Sequence, residues 1–321
     1  MPDAIDRTKK RPALTVRLAS PRGFCAGVER AVRTVEDALA QHGAPIFVRH
    51  EIVHNVHVVR RLEAMGAVFI EDLTLVPSGA PVIFSAHGAP QSAYAEAARL
   101  NLRTIDATCP LVSKVHNEVR RHLMLGRHVI LVGHRGHPEV IGTMGQAPAG
   151  AVSLIETRAD AAAFAPPEAP LAYVTQTTLS VDDTADIVAL LTQRFPAIAG
   201  PRKSDICYAT TNRQDAVKKI ALAADMVLVV GSPASSNSNR LVDTALKWGA
   251  RAAQLVESPA AFDVGQLEAG ATIGITSGAS APEDLVETLL ARLAEAFSLR
   301  IETVDHVRED VVFKQPLVLA S

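Results

Sequence analysis

Cysteine is scarce in this chain, and none of it is clustered: 321 residues carry only Cys25, Cys109 and Cys207. An odd count at such long spacings excludes a disulfide framework and fits a reducing compartment, so a cytoplasmic protein is expected. The lack of any close cysteine pair counts against a structural zinc site, whose ligands usually lie near one another in sequence. There is no N-terminal apolar segment of the kind a secretory signal needs. No apolar run approaches the ~18 residues that would suggest a membrane span, and no membrane association is expected. Net charge is only −2, and no Lys/Arg cluster recurs on a helical face, which argues against nucleic acid as a partner. Neither a G-x-x-x-x-G-K-[ST] loop nor a G-x-G-x-x-G turn occurs, so a nucleotide cofactor is not expected. The basic string Arg7–Arg11 sits in a polar N-terminal tail and reads as a solvated end.

What is present is an ordinary globular composition, 48% hydrophobic and 21% charged, long enough for two or three domains of about 100–200 residues each. The three cysteines occupy the same point in a unit that recurs. A short extended stretch precedes each one, at Leu14–Ala19, Thr104–Ala107 and Lys203–Ile206. An amphipathic helical pattern follows each, as in Val28, Ala31, Val32, Val35, Ala38 and Leu39. An apolar strand then runs into a polar loop. Cys25 to His54, Cys109 to His137 and Cys207 to Ser235 span 29, 28 and 28 residues. Strands alternating with helices predict an α/β fold with mainly parallel sheets. The repeat predicts three similar modules, over residues 15–108, 109–202 and 203–298, in a threefold arrangement that brings three sulfurs to one centre. Residues 1–14 are expected to be a tail, and residues 299–321 to fold back on the body.

In parallel sheets, ligands gather beyond the carboxyl ends of the strands. Here those ends carry His54, His87, His137, Glu139, Thr177, Thr178, Ser235, Ser236, Asn237 and Ser280. A cysteine just ahead of a helix has its thiolate stabilised by free N–H groups, which favours metal ligation. Taken singly, each cysteine reads as a small buried hydrophobe; the threefold match turns the reading to ligation. Three thiolates suit zinc with a fourth His, or an iron–sulfur cluster with one iron lacking a protein thiolate. The three histidines, with Ser235, Asn237 and Ser280, supply donors for an anion such as a diphosphate. Glu139, flanked by Thr177 and Thr178, is placed to deliver protons, although a surface carboxylate is an equal reading of that position. His116, His122 and His128 read as surface positions.

The strings Gly23-Phe-Cys-Ala-Gly-Val28, Val53-His-Asn55, Ser85-Ala-His-Gly88, Asp106-Ala-Thr-Cys-Pro110, Gly136-His-Pro-Glu139, Thr175-Gln-Thr-Thr-Leu-Ser180, Ile206-Cys-Tyr-Ala-Thr-Thr-Asn-Arg213, Ser235-Ser-Asn-Ser-Asn-Arg240 and Thr276-Ser-Gly-Ala-Ser280 follow in order. Together they resemble the 4-hydroxy-3-methylbut-2-enyl diphosphate reductases, from about residue 15 to residue 290. The resemblance implies three α/β domains in pseudo-threefold arrangement around a [4Fe-4S] cluster held by Cys25, Cys109 and Cys207. It implies that His54, His87, His137, Ser235, Ser236, Asn237 and Ser280 hold the diphosphate. Thr177 and Glu139, with Thr178 beside them, would form the proton relay. The implied reaction is reductive loss of the substrate hydroxyl to give isopentenyl and dimethylallyl diphosphate, the last step of the methylerythritol phosphate route. A ferredoxin or flavodoxin would donate the electrons. Two other readings compete. One is a Lewis-acid dehydratase or condensing enzyme resembling quinolinate synthase, which would consume no reductant. The other is a redox-sensing binding protein, which would have no need of so many convergent loop donors.

Overall fold

Runs such as 129–132 and Met226–Val230 are apolar at every position rather than at alternate ones, as strands covered on both faces require. The computed structural model describes residues 11–316, and both are strands there. In chain order the strands are β1 (Ala13–Ser20), β2 (Ile46–Arg49), β3 (Ala67–Ile70), β4 (Pro81–Phe84), β5 (Arg103–Asp106), β6 (His128–Val132), β7 (Val152–Ile155), β8 (Leu171–Thr175), β9 (Met226–Val230), β10 (Ala252–Val256), β11 (Thr272–Ser277) and β12 (Ser298–Asp305). The α-helices are α1 (Ala26–His42), α2 (Val56–Ala64), α3 (Gln91–Arg99), α4 (Pro110–Met124), α5 (Pro138–Met144), α6 (Arg158–Ala163), α7 (Val181–Arg194), α8 (Tyr208–Ala221), α9 (Ser236–Lys247) and α10 (Glu283–Ala296). They form three sheets, ordered β10-β9-β11-β1-β12, β3-β2-β4-β5 and β7-β6-β8. Every strand pairing within them is parallel, as the alternation of elements predicts.

The described chain divides into two compact units. One takes the chain up to Gly23, Asn212–Pro233 and Ser238–Glu309; the other takes Phe24–Thr211, Ala234–Asn237 and the chain from Asp310. The first unit holds the five-stranded sheet. Leu14, Val16 and Leu18 of β1, with Ile273 and Ile275 of β11, pack against Val286, Leu289 and Leu293 of α10. Val227 and Val229 of β9 pack on the other side against Val217, Ile220 and Leu241. β1 lies between β11 and β12 in this sheet, so the stretch before Cys25 pairs with strands from the far end of the chain. β12 is a strand the sequence reading did not name; it runs in register with all of β1, from Ala13 opposite Ser298 to Ser20 opposite Asp305.

The second unit holds the other two sheets. Ile46, Val48, Ile83 and Ile105 face Val32 and Val35 of α1, while Val82 and Phe84 face Ala93 and Ala97 of α3. In the three-stranded sheet Val129, Leu131 and Val174 meet Val115 and Val119 of α4; Ile130 and Val132 meet Ile187 and Leu191 of α7. Both faces are therefore covered, and the loops leaving β2, β4, β6 and β8 are the ones left to bind. From Asp310 the chain runs along α1, where Arg30 Nε donates to the Lys314 carbonyl at 2.7 Å. Residues 1–10 of the N-terminal tail, most of its basic string included, and residues 317–321 lie outside the described residues. No helix among the described residues is long and apolar enough to cross a membrane.

Candidate active site

Each cysteine stands at the start of a helix. Cys25 and Cys109 are the N-cap residues of α1 and α4, and Pro110 opens α4 where its missing N–H costs nothing. The Cys207 carbonyl accepts from Thr211 N at 3.1 Å, and its Sγ receives Thr210 N at 3.4 Å, so it caps α8 in the same way. None of the three is disulfide-bonded. Gly27 shows how close the first two sulfurs are: a Cβ built there would lie 2.7 Å from Cys109 Sγ and 3.8 Å from Cys25 Sγ. Burial pushes the Cys109 thiol up to about 12, and repulsion from Cys25 and Cys207 adds to the rise. Burial and Cys25 likewise push Cys207 up to about 11. Cys109 and Cys207, both held protonated by burial and by their sulfur neighbours, form with Cys25 a set that a positively charged centre would turn into thiolates. The donor set therefore fits a metal cluster bound by three sulfurs.

The histidines converge in the same unit. The rings of His54 and His87 stack with centroids 4.1 Å apart; His137 stands edge-on to both, at 5.4 and 6.0 Å. His54 follows β2, His87 follows β4 and His137 follows β6, the strand ends from which sequence reasoning drew them. Burial lowers His137 to about 3, with repulsion from His54, His134 and His50 added, and holds His87 well below its ordinary value for the same reasons. Both rings are neutral at pH 7. His137 Nδ1 accepts the Glu139 backbone N–H at 3.1 Å as the cap of α5. Its proton is therefore on Nε2, free to be donated. His54 Nδ1 faces Glu51 Oε2 at 3.1 Å, and that hydrogen bond is the main reason Glu51 lies below the usual carboxylate range.

Glu139 is 3% exposed. Its Oε1 accepts from Thr177 N at 2.6 Å and its Oε2 from Thr177 Oγ1 at 2.9 Å. Burial outweighs both bonds, and with the Asp205 carboxylate nearby the Glu139 carboxyl is raised to about 7. The Glu139 charge is in turn felt at Cys207. Of the two sequence readings of Glu139, the surface carboxylate is excluded. Asp205, fully buried at its side chain, is anchored by Lys114 Nζ at 2.9 Å and by Thr175 N at 3.0 Å.

Thr178 neighbours the polar loop before α9, where Ser236 Oγ donates to the Thr178 carbonyl at 3.2 Å. Asn237 Nδ2 reaches Thr210 Oγ1 at 3.4 Å, and the same hydroxyl lies 3.2 Å from Cys207 Sγ. The three cysteines, His54, His87, His137, Glu139, Thr177, Thr178, Ser235, Ser236 and Asn237 all belong to the second unit; Ser280 belongs to the first, buried just beyond β11.

Three expectations fail. His116 and His122 are not surface residues but 6% and 1% exposed. They share the apolar face of α4 with Val112, Val115 and Val119, a periodicity that the sequence displays. His116 packs over Gly88, where a Cβ would meet its Cε1 at 2.6 Å. His128 is half-buried, with Nε2 2.9 Å from Ser153 Oγ. The polar stretch after β9 is helical from Ser236, and after β6 Pro138–Met144 forms a short helix. Sequence reasoning also passed over His50, Glu51 and Asp205. His50 sits four residues before His54, its ring 5.9 Å from His54 and 5.8 Å from His87.

The LytB protein family model matches residues 16–294. A 4-hydroxy-3-methylbut-2-enyl diphosphate reductase of Hyphomonas neptunium is 59% identical, over 97% of this chain and 99% of its own length. One from Gluconobacter oxydans is 54% identical, over 100% and 97%. The solved structure of the E-1-hydroxy-2-methyl-but-2-enyl-4-diphosphate reductase from Plasmodium falciparum superposes with a TM-score of 0.89 at 39% identity, covering 96% of each chain. A second reductase structure, described as the terminal enzyme of the non-mevalonate pathway, gives 0.63 at 30% identity, over 88% of this chain and 99% of its own. With the match covering most of the chain and the thiols, histidines and buried carboxyl all present, this protein belongs to the LytB family.

Proposed function

We propose that this chain is a 4-hydroxy-3-methylbut-2-enyl diphosphate reductase, which removes the allylic hydroxyl to give isopentenyl and dimethylallyl diphosphate. The reaction takes up two electrons and two protons and releases water. Cys25, Cys109 and Cys207 would hold a [4Fe-4S] cluster, which supplies electrons and an open iron as Lewis acid when bound. The electron donor is a small ferredoxin or flavodoxin. The cytoplasm is the compartment, in keeping with three unpaired cysteines.

The observation that carries this reading is Glu139. A carboxyl raised to about 7 is close to half protonated at neutral pH, which is the condition for a general acid. Thr177 fixes both carboxyl oxygens, so the proton is presented from one place. Its influence on Cys207 puts that proton within electrostatic range of the thiol set. The rest of the chain's work is holding the diphosphate. His137 offers Nε2–H; His54 and His87 stack beside it; Ser235, Ser236 and Asn237 provide neutral donors at the start of α9, where a helix N-terminus favours an anion. A dianion arriving among neutral imidazoles raises their pKa values, so substrate binding draws protons into the pocket.

An anaerobic assay with the allylic diphosphate and a strong reductant tests the reading. Both isomeric diphosphates should form, with two electrons consumed per product. Product without reductant consumption, or no product at all, would refute it.

A further inference from the structure

His50 is not needed by the reaction just described, yet the chain goes to some trouble to place it. Its φ is +62°, a left-handed conformation that is uncommon outside glycine and that Asn, Asp and His adopt more readily than other side chains. The ring faces His54 and His87, and its Nε2 is buried without a hydrogen-bond partner among the described residues. One nitrogen from each of His50, His54 and His87 lies within 4.8 Å of the other two.

The other ring nitrogens are occupied from behind. His50 Nδ1 meets Glu71 Oε1 at 2.6 Å, His54 Nδ1 meets Glu51 Oε2 at 3.1 Å, and His87 Nδ1 lies 3.3 Å from Ser85 Oγ. A carboxylate or hydroxyl on one ring nitrogen is how proteins orient histidines that bind metals through the other, because it fixes the tautomer and raises the basicity of the ligating nitrogen. Three such rings suit zinc, which has no geometric preference of its own and takes imidazole readily. At Zn–N distances of about 2.0–2.1 Å, tetrahedral geometry needs nitrogens about 3.4 Å apart, so the rings would draw together by at most about 1.4 Å.

We infer that His50, His54 and His87 form a binding site for one zinc ion, separate from the thiol set. Two of its three rings are those assigned to the substrate diphosphate. A ring nitrogen cannot give its lone pair to a metal and donate a proton to a phosphate oxygen at once. Zinc and substrate therefore exclude each other, and free zinc inhibits by competition.

The test uses protein with its cluster assembled, so that the cysteines are not available to the added metal, and free zinc set by a metal buffer. Wild type should bind one zinc per chain with its iron content and visible absorption unchanged. His50→Asn removes one ligand and tolerates the left-handed backbone, so it should fold, load its cluster and turn over normally while binding zinc at least 10-fold more weakly. Glu71→Gln should weaken zinc by about 10–100-fold through the orientation of His50. At fixed free zinc the wild-type KM for the allylic diphosphate should rise with kcat unchanged, and in His50→Asn it should not. Equal zinc binding by His50→Asn, or zinc uptake accompanied by loss of iron, overturns the site. Zinc binding that depends on His50 but leaves KM untouched upholds the metal site and instead removes His54 and His87 from diphosphate binding.

Discussion

Replacing Glu139 by Gln separates two effects that share one cause. The amide can keep the acceptor at Thr177 N and still reach Thr177 Oγ1, the two contacts that hold the carboxyl now. The pocket should therefore keep its shape and its three sulfurs. What is lost is the proton, and a general acid contributes roughly 10²–10⁴-fold to rate, so turnover should fall by at least about 100-fold with substrate affinity little changed. The second effect concerns stability. The carboxyl moves from an ordinary 4.5 to about 7 on folding, so the native state holds this proton more tightly than the unfolded chain does. Stability from a raised carboxyl is fully present below pH 4.5 and is lost as pH climbs through 7, to a total of about 3 kcal/mol. Gln carries no such penalty. The variant should match wild type in thermal midpoint near pH 4 and be more stable by pH 8, while being nearly inactive throughout. Single-turnover and steady-state rates measured anaerobically, beside thermal scans across that pH range, test both halves. Turnover within a few-fold of wild type would move the proton source elsewhere. A midpoint difference that does not open between pH 4 and pH 8 would show that Glu139 is not held neutral by burial.

Changing any one of Cys25, Cys109 or Cys207 to Ser should abolish stable cluster assembly, seen as lost iron, sulfide and visible absorption after anaerobic reconstitution. Full iron content in a single variant would defeat the shared site. Gly27→Ala should raise the intrinsic helix propensity of α1 by about 1 kcal/mol and yet lose iron, because the new Cβ falls 2.7 Å from Cys109 Sγ; an iron-replete variant would mean the sulfurs are not confined as described. His87→Ala should raise KM for the diphosphate by 10-fold or more with an unaltered cluster spectrum, and an unchanged KM would return His87 to ordinary loop chemistry. Substrate affinity of the wild type should weaken as pH rises from 6 to 9, since binding takes up protons on His87 and His137, which are neutral in the free protein; pH-independent affinity measured by calorimetry would contradict that uptake.

Sequence periodicity was a good guide to the interior and a poor one to the edges. β6 and β9 declared themselves because they carry runs of four and five consecutive apolar residues, as a doubly covered strand requires. α4 declared itself through Val112, Val115 and Val119, but the same spacing runs on through His116 and His122, and their polarity hid it. α5 was invisible because a seven-residue helix containing a glycine and no repeated apolar face leaves no periodic trace. Partnership across the sheet was hidden for another reason. Nothing local tells β1 that its neighbours are β11 and β12, since register between distant strands is set by packing that forms only when the chain has closed. The site followed the same division. Cysteines at helix starts and histidines at strand ends are positions in a repeating unit, and position can be read from spacing. The roles of Glu51 and Asp205 come from what they touch, His54 and Lys114, which lie three and 91 residues away.

Apart from Glu51, which its hydrogen bond to His54 holds charged, the shifts at the candidate site run toward neutrality. The bases His87 and His137 are lowered, the acids Glu139, Cys109 and Cys207 are raised, and burial is the largest cause in every case. A pocket meant to hold a charged ligand by fixed opposite charge would show the reverse, with partners stabilising each ion. Here the protein supplies mostly uncharged, buried donors and acceptors, and most of the charge would enter with what binds. Positive iron would turn the thiols into thiolates, and a diphosphate would turn the imidazoles into imidazoliums. Each occupant thus releases or takes up protons as it arrives. Glu139, its carboxyl raised to about 7, holds a proton that it can give up near neutral pH, and on the proposed reading that proton would leave with the hydroxyl.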